Sequence, residues 1–167
     1  MLITNSIANE TGSAKMRFDA ARGTAKPSGN AAFEFGIDFV AVAESHVLMF
    51  SRLKDYVYGE TQDVSVFESI VRSDACHLGK WLDGEGKLNF GSLSSFGRLC
   101  NAHSEFHTCA AEVMDKMNGG SWLAAERVLK QDFSRSLRRI LIALTELNEA
   151  ATASLESTLR GQAWAVS

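Results

Sequence analysis

Two histidines four residues apart carry the strongest chemical signal in the chain: His103 and His107, in His103-Ser104-Glu105-Phe106-His107. At 3.6 residues per turn, side chains four apart leave the same face of a helix. Phe96, Leu99, Cys100, Phe106, Ala110, Val113, Met114 and Met117 fall at the three-and-four spacing of a buried stripe, and both histidines lie within it. A buried imidazole needs partners for its ring nitrogens, and two stacked ones invite a shared partner. A metal ion is the most economical one.

Further donors exist elsewhere. His46 sits among Phe35, Phe39, Val42, Met49 and Leu53, in the middle of a core-facing helical stripe. Taken alone, such a residue is ordinarily a core histidine satisfied by a carboxylate or carbonyl. The three cysteines, Cys76, Cys100 and Cys109, are an odd number with no disulfide-framework spacing, so they read as thiols or metal ligands. Cys100 and Cys109 fit a packing role. His77, beside Cys76, is expected to point away from the site, to solvent or at most to a place behind the ligands.

The elements that must position these residues are helical. Residues 1–32 are rich in Ala, Ser, Thr, Gly and Asn without apolar periodicity, and are read as a flexible leader. A first helix is expected from Phe33 to Tyr58 and a second from Val64 to Asp83, the latter with Phe67, Ile70, Val71, Leu78 and Trp81 on one face. Cys76 lies roughly opposite that face, so the helix is either distorted near Ser73–Ala75 or packed on two sides. A loop is expected from Gly84 to Gly91. The helix bearing the histidine pair then runs from about Ser92 to Asn118, stopped by Gly119-Gly120, with Ser121 as the next N-cap. A last helix, broken near Lys130–Asp132, reaches about Arg160. Its stripe of Phe133, Leu137, Ile140, Leu144, Leu147, Ala151 and Leu155 has near-heptad steps, suited to a bundle or a two-chain seam. The pattern predicts an all-α chain: an antiparallel four-helix bundle over residues 33–160, with room for an extra short helix and a C-terminal tail at 161–167.

In order, the pieces read His46-x-x-Met49, Cys76-x-Leu78-Gly79-x-Trp81 and His103-x-x-x-His107, with 30 residues from His46 to Cys76 and 27 from Cys76 to His103. This resembles the chemoreceptor zinc-binding (CZB) domain of bacterial signalling proteins over about residues 33–150. The one departure is Met49, where that family prefers an aromatic residue or Leu. The resemblance implies that His46, Cys76, His103 and His107 bind one zinc ion, and that the protein forms homodimers. It further implies a regulatory role that links zinc or oxidant levels to a chemoreceptor or diguanylate cyclase, here reached as a separate partner chain. Three imidazoles and a thiolate are a suitable tetrahedral set for zinc, whereas Mg²⁺ and Ca²⁺ prefer oxygen.

Other function classes are disfavoured. Four protein ligands leave no vacant position for a hydrolytic water, so no catalytic role is expected. A di-iron bundle enzyme would use Glu-x-x-His motifs, but Ala43, Cys100 and Ser104 stand three residues before the histidines. A net charge of −3 argues against nucleic acid as the main partner. No apolar run approaches the ~20 residues of a membrane span, and the cytoplasm is the default location. A structural helical adaptor, or a zinc buffer with a permanent metal staple, remains the alternative reading.

Overall fold

The computed structural model describes residues 36–61 and 67–164; the leader at 1–32 and the last three residues lie outside the described part. Every regular element among the described residues is helical. The order is α1 (Phe39–Val57), α2 (Phe67–Val71), α3 (His77–Asp83), α4 (Glu85–Phe90), α5 (Ser94–Asn118), α6 (Trp122–Val128) and α7 (Ser134–Trp164). A π-helical turn at Leu129–Phe133 joins α6 to α7.

The helix starts and stops have local causes. Gly36 has φ of 78°, which favours glycine, and the Asp38 carboxylate accepts hydrogen bonds from the Val40 and Ala41 amides at 2.9 and 3.1 Å. That cap starts α1 at Phe39; the expected start at Phe33 lies outside the described residues. α5 ends at Asn118 before Gly119-Gly120, as expected, with Gly120 at φ 70°. Ser121 takes the N-cap position of α6, but its side chain makes no capping bond.

Two expectations need correction. Of the single helix expected over Val64–Asp83, residues 64–66 lie outside the described part, and the described residues 67–83 form two short helices, α2 and α3, with turns between them. Of the two ways to accommodate Cys76, the chain takes the distortion. Cys76 has extended backbone (φ −67°, ψ 142°) and occupies the N-cap of α3. The expected loop at Gly84–Gly91 contains α4, because Phe90 has a buried place beside Trp81, 5.7 Å between ring centroids. Gly86 lies so close to the Trp81 ring that a Cβ there would come within 2.6 Å of it.

The core forms where α5 packs along α7, α1 lies against α7, and α2 packs on α5. Arg98 pairs with Glu146 at 2.7 Å, and Glu105 with Arg139 at 2.6 Å. One heptad forward on α5 is thus one heptad backward on α7, so these two helices run antiparallel. Among the described residues no helix is long and apolar enough to cross a membrane.

Candidate metal centre

Each of the three parts of the sequence pattern rides on a different element. His46 is at mid-length of α1, Cys76 caps α3, and His103 and His107 are one turn apart on α5. The fold brings all four together: one donor atom from each can be chosen so that all lie within 4.8 Å of one another. All are buried, with exposures of 0% for His46, 5% for Cys76, 3% for His103 and 2% for His107.

Backbone carbonyls orient two of the rings. His46 Nδ1 lies 2.8 Å from the Val42 carbonyl oxygen, and His107 Nδ1 lies 2.6 Å from that of Ile70. A carbonyl only accepts, so each Nδ1 carries the proton and donates it. Each Nε2 is left with its lone pair free for an acceptor role or a metal. Those atoms point into the cluster: His46 Nε2 is 3.7 Å from Cys76 Sγ, and His107 Nε2 is 3.0 Å from His103 Nε2. In a tetrahedral site with Zn–N near 2.0–2.1 Å and Zn–S near 2.3 Å, neighbouring donors stand roughly 3.3–3.6 Å apart. The observed separations bracket that range, so the residues fit a zinc ion.

The surroundings keep the imidazoles neutral. Burial lowers the pKa of His46 to about 4, against a raising contribution from its bond to Val42. His103 is lowered to about 3, by burial first and then by the neighbouring histidines. His107 is lowered too, again chiefly by burial. Neutral imidazoles are the form that ligates metal. Phe106 packs against His46 and His107 with ring centroids 5.1 and 5.4 Å apart, and Phe133 of the π-helical turn stands 4.8 Å behind Phe106.

Gly79 is required by a close approach. A Cβ there would run into the Ser73 carbonyl oxygen and lie 3.1 Å from His103 Cε1. The Leu78-Gly79 step therefore lets α3 fold back on the turn that carries Cys76 while touching the metal cluster.

The remaining candidates separate as follows. His77 is exposed at the first position of α3, outside the cluster. Cys109 is buried, and burial raises its thiol pKa. Cys100 is half-buried: it packs against the hydrophobic core, as expected, and also lines a surface cavity. Sequence reasoning missed the Val42 and Ile70 carbonyls. Val42 was findable, as the carbonyl one turn before a stripe histidine; Ile70 was not, since its contact joins two helices.

A helical domain that buries three histidines and a cysteine around one point belongs, as a class, to the helical metal-binding domains. Residues 46–114 match the family model of the chemoreceptor zinc-binding domain, and this match supports membership of that family. The match begins at His46 and encloses all four donors, and zinc is the metal of the family. No curated protein and no solved structure matches the chain significantly.

Proposed function

We propose that the protein is a zinc-dependent sensory or regulatory module in which His46, Cys76, His103 and His107 hold one zinc ion. The observation that carries this reading is the convergence of four buried donors from three elements, with carbonyls turning both His46 and His107 so that Nε2 faces the same point. When bound, zinc would hold the Cys76 thiol as a thiolate and tie α1, α3 and α5 together.

Cys76 is the donor suited to signalling. Imidazoles can only gain a proton, whereas a thiolate can be oxidised or captured by competing ligands. It is also the one donor outside the long helices, at a turn between two short ones. Losing it would leave the α2–α3 segment tied to the cluster mainly through the bond from His107 to Ile70. In this reading the released segment changes the surface shown to a partner, a chemoreceptor or diguanylate cyclase, in the cytoplasm. The unit is the sequence-drawn 33–160, arranged as an antiparallel bundle of α1, α5, α7 and the α2–α4 segment, and it works as a homodimer.

Zinc analysis of the purified protein tests the site. About one zinc per chain is expected, as a closed four-ligand site requires. The His103→Ala, His107→Ala double variant should lose it, and His77→Ala should keep it. Full occupancy in the double variant would remove the assignment.

A further inference from the structure

A buried ion needs a way in, and His46, Cys76, His103 and His107 are all no more than 5% exposed. A cavity of about 180 Å³ opens on the surface beside the cluster, and only His103 among the donors contributes to its wall. Exposed Asp74, Asp83 and Ser104 form its rim, while Gly79 and His103 are buried at its floor. Half-buried Cys100 lies between rim and floor. The volume is enough for several water molecules, so the cavity has room for a cation with part of its hydration shell. The floor stays thin because residue 79 is glycine: any Cβ would press toward His103 Cε1 and the Ser73 carbonyl.

We propose that this cavity is the passage by which a divalent zinc ion reaches and leaves the cluster, with His103 the first donor it meets. The proposal rests on the four-residue zinc site above. Oxygen atoms at the rim suit a cation that is shedding water: Asp83 on α3 and Ser104 on α5 line the cavity together, with the Asp83 carboxylate and the opposing Lys87 ammonium both felt at Cys100. Asp74 contributes less charge, because Arg72 binds it at 2.6 Å. The competing path is a transient opening of the α2–α3 segment, which would expose Cys76 instead.

Closing the rim distinguishes the two paths. Zinc uptake, and release to an excess of a neutral chelator, would be followed by stopped flow on the zinc-loaded full chain. Ser104→Trp and Asp83→Trp close the rim from opposite walls, at exposed positions where the fold tolerates bulk. Each should slow uptake and release alike by about tenfold or more, the effect of a raised barrier, with the equilibrium affinity unchanged. Glu112→Trp, eight residues further along α5 and outside the cavity, should keep wild-type rates. Unchanged rates in both closing variants would overturn the passage, as would a slowed uptake matched by a fall in affinity. A wild-type chain that binds no zinc would instead overturn the site itself.

Discussion

A neutral imidazole carries one proton, and the partner of that proton decides which nitrogen is left for a metal. Val42 and Ile70 make that decision for His46 and His107, so the site's chemistry depends on two carbonyls whose side chains have no metal affinity. The same burial that suits the rings for zinc makes them costly to protonate. His46 takes up its proton near 6.5 when exposed to water but only near 4 in the fold. Between those values the unfolded chain binds more protons than the folded one, so stability falls as pH falls. The contribution is fully present above 6.5 and is lost as pH drops through about 4, and His103 and His107 act in the same direction. Each histidine adds up to about 1.4 kcal/mol per pH unit within its window. Melting temperatures of chelator-treated protein across this range should decline steadily with acidification. A flat profile between 6.5 and 4 would show that these rings are not buried neutral.

At the scale of elements, the long helices were legible because their buried residues recur at the helical period. The stripe of α5 holds against the structure from Phe96 to Val113, and the His103–His107 pair stands on one face as a four-residue spacing demands. What escaped the pattern was short or irregular. The break at Arg72–Cys76 contains neither proline nor glycine, and it forms because Gly79 allows α3 to fold against Ser73. α4 was hidden by its flanking glycines, and the break expected near Lys130–Asp132 is a π-helical turn at Leu129–Phe133 that keeps the chain helical. That turn supplies Phe133, which meets Phe106 at 4.8 Å and Phe50 at 5.0 Å and so backs the metal cluster from α7's side. The α2–α3 segment is the light element here, two short helices that pack on α1 through Phe67 and Trp81 and meet the metal cluster through Cys76 and Ile70. Sub-stoichiometric hypochlorous acid added to zinc-loaded protein should therefore oxidise Cys76 to the sulfenic acid, with chloride leaving, and release zinc. Amide exchange should then rise across residues 67–83 while α5 stays protected. If mass spectrometry finds Cys100 and Cys109 oxidised first, with Cys76 and zinc intact, the metal is a permanent staple rather than a switch.

The molecule as a whole decides where a second copy could bind. The near-heptad stripe of α7 suggested a two-chain seam, but the chain uses most of it internally. Phe133, Ile140, Leu144, Leu147 and Ala151 are each no more than 2% exposed, and Leu137 and Leu155 pack at the edge of the same core. Exposed apolar side chains occur on several helices, among them Leu88 on α4, Leu123 on α6 and Ile142 on α7, but α1 carries three close together: Val40 and Val47 are 62% and 46% exposed, and Leu48 beside them is 50% exposed. Val40 and Val47 are seven residues apart, two turns along one face, and that face lies away from His46. A two-fold pairing of α1 with its copy would cover these residues in both chains at once without disturbing the metal cluster. The expected state is a homodimer, measured by light scattering on zinc-loaded protein at high micromolar concentration. Val47→Glu places a charge at the centre of the pairing and should shift the protein to monomer with zinc content unchanged. A wild-type monomer under those conditions would refute the dimer, and a Val47→Glu protein that stayed dimeric would move the interface off α1.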